Sequence, residues 1–136
     1  MQNDILQDFV VVEYRDNKRI QIIHVNDITR QGVDAYINVI QTELVDREET
    51  TLRTVQKFTK LGTAISPYFL ARLKEFSGDN LRKDTHGRVA IVTSMDIFRL
   101  MINPVAKIFL RENNKLAIQF FKTVDEAVEW VSDYEV

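Results

Sequence analysis

Short runs rich in β-branched and aromatic residues alternate with stretches of helical periodicity along this chain, and that alternation limits its fold most. Five runs predict strands, at residues 9–14, 19–25, 51–58, 88–93 and 116–121. Only a polar tetrapeptide separates the first two, which is typical of a β-hairpin. Strands that alternate with helices form right-handed crossovers and a mostly parallel sheet. We therefore predict an α/β fold with a five-stranded, mostly parallel mixed sheet.

Four helices are predicted between and after these strands, in the order ββαβαβαβα. The first spans about 29–44, the second follows Pro67, the third covers about 95–112, and the last follows Thr123. Thr123 and Glu126 have the spacing of a capping box, in which each side chain satisfies a backbone amide at the helix start. We find no internal repeat or linker, and residues 1–136 are predicted to form a single domain.

Composition excludes several kinds of site. The chain has no cysteine, so disulfides, thiolate nucleophiles and cysteine-type zinc sites are ruled out. Its net charge of −2 argues against a nucleic-acid partner, because phosphate neutralisation normally requires a basic excess. The first nine residues lack the basic and apolar regions of a signal peptide, and no run approaches the roughly 20 apolar residues of a membrane span. We expect a cytoplasmic protein.

No catalytic constellation is visible in the sequence. His24 and His86 are far apart and lack a helical i, i+4 partner, so they predict packing or solvation rather than a metal site. Phosphate-binding, dinucleotide-binding and serine nucleophile motifs are absent. Trp130 is interpreted as a core aromatic residue. We therefore expect no enzymatic activity, no metal and no cofactor.

The predicted third helix carries more apolar residues than one sheet face can cover. An ordinary surface helix has a single apolar stripe, whereas this one leaves only a narrow polar stripe at four-residue spacing. Pro104 interrupts it and removes a backbone donor. The residues predicted to form an apolar ligand or partner surface are Phe98, Leu100, Met101, Ile102, Val105, Ile108 and Phe109.

Several occupants could cover this surface. A second copy of the chain would give a homodimer, and a different protein partner would give a heteromeric complex. A lipid-like ligand could lie beneath the helix as beneath a lid, or the helix could lie on a membrane surface. The plainer alternative is that neighbouring helices and loops of the same chain cover it.

Three stretches resemble the SpoIIAA-like branch of the STAS domains, a group whose description overlaps with that of the CRAL-TRIO lipid-binding modules. They read SPYFLARLKEF, GRVAIVTSMDIFRLMINPVAKIF and FFKTVDEAVEWV, and the resemblance extends from about Arg19 to Tyr134. It implies a STAS-like fold and a non-enzymatic module that binds protein partners or holds an apolar ligand.

In STAS anti-sigma-factor antagonists, a serine at the corresponding strand-to-helix junction is phosphorylated. Ser66 is at that place here, without the preceding aspartate or following glycine of the family motif. A helix N-terminus favours an anion, so Ser66, with Thr63, is a candidate anion or phosphorylation site. The competing interpretation is a plain helix start, with Ser66 as the N-cap and Pro67 as the first helical residue.

Overall fold

The computed structural model describes residues 9–17, 19–26, 29–45, 50–58, 67–75, 85–93 and 115–135. These residues form a five-stranded mixed sheet and three α-helices, which confirms the predicted α/β class. The strands are β1 (Val10–Arg15), β2 (Ile20–Val25), β3 (Thr51–Phe58), β4 (His86–Val92) and β5 (Lys115–Phe121). The helices are α1 (Arg30–Ile40), α2 (Pro67–Glu75) and α3 (Val124–Ser132). The predicted helix at 95–112 lies outside the described residues, so the count of four helices is not confirmed.

The first two strands form the predicted antiparallel hairpin. Val10 lies opposite Val25 at one end, and Arg15 lies opposite Ile20 at the other. In the connecting loop Asp16 and Asn17 have φ angles of 56° and 57°. Their short polar side chains tolerate this left-handed conformation better than most residues do, which explains why the chain turns here.

The other four strands lie side by side in chain order. β2, β3, β4 and β5 are parallel, and the sheet order is β1-β2-β3-β4-β5. The connections from β2 to β3 and from β3 to β4 each advance one strand in the same direction, so right-handed crossovers place α1 and α2 on the same face of the sheet. α1 and α2 cover that face, whereas α3 follows the last strand and packs on the opposite face. Among the strands that the structure describes, β1 and β5 lie at the two edges of the sheet.

The larger core lies between the sheet and the helices α1 and α2. Tyr36 from α1, Phe58 from β3 and Phe69 from α2 meet there, with ring centroids 5.4 to 6.0 Å apart. Tyr36 contacts both phenylalanines in the edge-to-face arrangement that aromatic pairs prefer. Phe69 is buried, so it anchors α2 against this core.

The smaller core lies beneath α3. Ala127 and Val131 are fully buried there against Ile22, Val55 and Ala90 of the three central strands. The half-buried Trp130 also packs on this cluster, as predicted.

One half of the predicted capping box is present at the start of α3. The amide of Glu126 donates to Thr123 Oγ1 over 3.2 Å, and the Thr123 hydroxyl donates to Glu126 Oε1 over 3.0 Å. In a full capping box the Glu126 carboxylate would accept a hydrogen bond from the backbone amide of Thr123. Here it accepts one from the Thr123 hydroxyl instead.

β4 begins two residues earlier than the sequence predicts, because His86 and Gly87 pair with Thr51 and Leu52 of β3. Gly87 has a φ angle of 135°, and a Cβ atom placed on it would lie 1.9 Å from the carbonyl oxygen of Leu52. No side chain fits in that space. The glycine therefore permits close strand pairing here.

Candidate functional site

The residues predicted to bind a partner or an apolar ligand lie outside the described residues. They are Phe98, Leu100, Met101, Ile102, Val105, Ile108 and Phe109. The candidate anion-binding residues Thr63 and Ser66 also lie outside them, and α2 begins at Pro67. These predictions stay untested, and the described residues offer a different candidate site.

A groove of about 500 Å³ lies between the edge strand β1 and helix α1. It is lined by Val10, Val11, Val12, Ala35, Asn38, Val39, Thr42 and Glu43. Five of these eight residues are apolar, and the polar ones all come from α1 and the turn that follows it. A volume between roughly 300 and 1,000 Å³ with a mostly apolar lining is typical of binding pockets. The groove can therefore hold a small apolar molecule or the side chains of a partner segment.

The position of α1 explains why this groove forms. Thr29 caps the helix by accepting a hydrogen bond from the amide of Gly32 over 3.4 Å. Tyr36 and Ile40 are buried against the sheet, so the adjoining flank of the helix, which includes Asn38 and Val39, faces the edge strand. Within the described part of the chain no strand pairs with the outer edge of β1. The groove therefore follows from a helix that lies at the margin of its sheet.

The backbone of β1 presents hydrogen-bonding groups that no described strand pairs with, next to this groove. The amide of Asn26 donates to the carbonyl of Phe9 over 2.8 Å. Paired residues alternate along an antiparallel ladder, so Val11 and Glu13 also exchange hydrogen bonds with β2. The amide and carbonyl groups of Val10 and Val12 consequently point away from β2. An added strand could pair with them while its side chains enter the groove.

Glu43 lies at one end of the groove. It belongs to a π-helical turn, Gln41–Val45, that continues α1, where the sequence predicts an ordinary α-helix to about 44. The wider turn alters the direction of the side chains, and such turns are frequent at functional sites. Glu43 Oε2 accepts a hydrogen bond from the Tyr14 hydroxyl of β1 and another, over 3.1 Å, from Gln21 Nε2 of β2. The carboxylate thus ties α1 to the hairpin.

Polar side chains are buried on the same face of the sheet. The Thr54 hydroxyl donates to Gln21 Oε1 over 3.2 Å, so Glu43 is connected through Gln21 to the central strand. Two residues further along β3, the Tyr36 hydroxyl donates to Gln56 Oε1. Three polar residues in strands of a small domain are an uncommon feature, because each buried polar group needs a partner. Gln56 bonds to α1 through Tyr36, and Gln21 bonds to the turn after α1 through Glu43, so both link this helix to the sheet.

The opposite face carries a cluster of basic side chains with a structural role. Arg53 and Arg88 lie directly opposite each other on β3 and β4. Arg88 Nη1 donates to the carbonyl of Trp130 over 2.6 Å, and Arg53 Nη2 donates to the carbonyl of Tyr134 over 3.0 Å. Arg19 donates to the carbonyl of Ser132 over 3.1 Å. These carbonyls surround the C-terminal end of α3, where the helix dipole favours positive charge.

The two histidines lie on different strands and have different partners. His24 Nε2 is 3.0 Å from Glu13 Oε1, and His86 forms a 2.8 Å hydrogen bond with Thr51. His86 is the first residue of β4, two residues before the start of the predicted strand. No group of three or more potential metal ligands occurs among the residues that the structure describes.

None of the three described helices has the length and apolar character needed to cross a bilayer.

Sequence reasoning missed the groove and the arginine cluster. Glu43 reads as a polar residue near a helix end, and its partners Tyr14 and Gln21 are 29 and 22 residues away. A usable signal was present in the strands, since Gln21, Thr54 and Gln56 interrupt β-branched runs.

Comparisons with family models, with curated proteins and with solved structures found no match to this chain. Its function is therefore inferred from the residues and their geometry.

Proposed function

We propose that this chain is a non-enzymatic, STAS-like binding module that acts through protein–protein contacts, with a partner segment bound in the groove between β1 and α1. The resemblance of three stretches to STAS domains implies such a module, and the α/β class and mixed sheet are consistent with it. The groove adds a specific binding surface for the partner, which the resemblance does not identify.

The observation that carries the proposal is the combination of an open strand edge and an apolar groove on one side of the chain. Peptides that add a strand to a sheet gain affinity from main-chain hydrogen bonds and specificity from pockets for alternate side chains. The backbone of Val10 and Val12 offers the main-chain hydrogen bonds, and the space beside Ala35 and Val39 offers the side-chain pocket. Val11 is 38% exposed, which is unusual for a strand valine and adds apolar surface at this edge.

A lipid-like apolar ligand is the second candidate, and the apolar lining of the groove favours it. A cavity of this size accommodates a drug-sized molecule or part of an acyl chain. In this function the predicted helix at 95–112 would serve as a lid or membrane contact, as the sequence suggests.

Selection of peptides tests the proposal directly. Random twelve-residue peptides displayed on phage are selected on the purified chain, and the amide resonances of the ¹⁵N-labelled protein are followed as each selected peptide is added. We expect shifts concentrated at Val10, Val12 and Val39. The cleft lined by Lys57, Lys122 and Asp125 is an internal reference for non-specific contacts, because it lies beside the start of α3, on the opposite face of the sheet from α1.

Asn38→Trp tests whether the groove itself is the site. Asn38 is exposed and lines the groove, so the indole should fill it without disturbing the core. Ala71→Trp is the matched control, because Ala71 is exposed on α2 and does not line the groove. We expect Asn38→Trp to weaken peptide binding at least tenfold and Ala71→Trp to leave it unchanged. Equal binding by both variants would exclude the groove.

Two further measurements separate the alternatives. Native mass spectrometry of the purified chain would reveal a copurifying lipid, and a lipid that Asn38→Trp displaces would favour the second candidate. Light scattering at micromolar concentration would reveal a homodimer, and a dimer that Asn38→Trp dissociates would make a second copy of the chain the occupant of the groove.

A further inference from the structure

Glu43 is the one charged side chain among the described residues that line the groove. Its two hydrogen bonds, from Tyr14 and Gln21, both go to Oε2 and both come from neutral groups. Within the described ranges no lysine or arginine forms an ion pair with Glu43. The carboxylate therefore stands beside an apolar surface with its charge uncompensated by any described neighbour.

This arrangement favours a cation from outside. A carboxylate next to apolar groups loses part of its hydration, and an apolar partner that covers it would remove more. A cationic group on the partner offsets that loss, because a charge-assisted hydrogen bond is shorter and stronger than a neutral one. Glu43 Oε1 accepts no hydrogen bond from the described residues and is the oxygen that such a group would meet.

We infer that the partner segment carries a lysine or arginine that pairs with Glu43 while its apolar residues lie along Val10, Val12 and Val39. The inference rests on the proposed function, since it names the chemistry of the segment that the groove receives. The charge of Glu43 favours a basic residue in the partner segment, and the apolar lining of the groove favours apolar residues on either side of it.

The sheet geometry also places the basic residue along the segment. Glu43 contacts Tyr14, which lies two residues beyond Val12 on β1. Two residues of strand span about 7 Å. In a paired segment the basic residue therefore lies about two positions from the residue opposite Val12, at the end nearest the hairpin loop.

Matched peptides test this inference. Acetylated, amidated eight-residue peptides of alternating valine and threonine are made in pairs, with a single lysine in one and glutamine in the other at the same position. Affinity for the wild-type chain is measured by NMR titration at low and at high salt. We expect one lysine position to bind about fivefold more tightly than its glutamine partner, with the difference shrinking at high salt.

Two variants identify the group responsible. Glu43→Gln keeps an acceptor for Tyr14 and Gln21 but removes the charge, and it should abolish the preference for lysine. Glu129→Gln removes the same charge from an exposed position on α3, on the other face of the sheet, and should preserve the preference.

The failures are distinguishable. If lysine and glutamine peptides shift the groove resonances with equal affinity, the inference is wrong and the proposed function stands. If Glu43→Gln retains the preference for lysine, another group recognises it and the inference is again wrong. If no peptide shifts the groove resonances, the proposed function fails, and the inference fails with it.

Discussion

The hydroxyl of Tyr36 donates a hydrogen bond to the side-chain oxygen of Gln56, while the amide nitrogen of the same glutamine has no hydrogen-bond partner among the described residues. Both side chains are buried, with Gln56 at 0% exposure in the central strand β3. An unsatisfied buried donor costs about 1–3 kcal/mol, so this pair combines a favourable bond with an uncompensated group. The net contribution of this pair to the free energy of unfolding is therefore smaller than that of its hydrogen bond alone.

Replacing both residues by apolar ones should therefore cost little. Tyr36→Phe alone leaves the whole Gln56 amide unpaired and should lower the free energy of unfolding by about 1–3 kcal/mol. Adding Gln56→Leu removes the unpaired amide, so the double variant should recover most of that loss. Urea denaturation of the wild type, both single variants and the double variant measures the coupling. Strictly additive effects would show that the two side chains do not interact as described.

Tyr36 should also make stability depend on pH in alkaline solution. Burial raises the pKa of its phenol far above the ordinary value of 10.0. The unfolded chain then releases this proton as the pH rises past about 10, while the folded chain retains it. Tyr36 therefore does not lower the free energy of unfolding below about pH 10. Above that pH the free energy of unfolding should fall by up to about 1.4 kcal/mol per pH unit. Urea denaturation between pH 8 and 11 measures this slope.

The double variant Tyr36→Phe/Gln56→Leu is the reference for that slope, because it lacks the buried phenol and keeps the other tyrosines. The difference between wild type and variant isolates Tyr36. A difference that does not change with pH would show that the phenol is accessible to solvent.

Arg88 should stabilise the docking of α3. Its guanidinium donates to the carbonyl of Trp130 and lies 4.9 Å from the centre of the Trp130 ring. Arg88→Met keeps much of the side-chain volume but removes the charge, and should lower the free energy of unfolding by about 1–3 kcal/mol. Arg15→Met is the control, because Arg15 is exposed and its ion pair with Glu13 contributes less than about 1 kcal/mol. Equal effects in urea denaturation would contradict the assigned role of Arg88.

Gly87 should be irreplaceable at the start of β4. Alanine there would place its Cβ 1.9 Å from the Leu52 carbonyl oxygen and would hold a φ angle of 135° that side chains rarely adopt. We expect Gly87→Ala to lower the thermal midpoint by more than 10 °C or to prevent folding. Ala117→Gly in the neighbouring strand is the control and should cost only about 0.5–1 kcal/mol. An unchanged midpoint for Gly87→Ala would refute the close approach of β3 and β4.

The sheet was predictable because its signals are local. Runs such as 19–25 and 51–58 favour strands through their β-branched residues, and the short polar loop between the first two strands favours their antiparallel pairing. The capping residues Thr29 and Thr123 mark helix starts through bonds to amides three residues away. Interactions of such short range can be inferred without knowledge of the tertiary fold.

The groove was not predictable because it arises from contacts between distant elements. Its walls come from β1 and α1, and only the folded chain shows that α1 lies at the margin of the sheet. The arginine cluster also arises from contacts between distant segments. Arg19, Arg53 and Arg88 come together only at the C-terminal end of α3. Each of them read alone is an ordinary charged residue.

Proline substitution in β1 tests the open edge on which the proposed function depends. The amide of Val12 points away from β2, so Val12→Pro removes no hydrogen bond of the hairpin, whereas Val11→Pro removes one. We expect Val12→Pro to retain most of the stability measured by urea denaturation, and Val11→Pro to lose about 1–3 kcal/mol, because it removes a ladder hydrogen bond and leaves a β2 carbonyl unpaired. Val12→Pro should nevertheless weaken the selected peptides, because a partner strand loses a main-chain donor. If it binds them as the wild type does, the peptides occupy the groove without adding a strand.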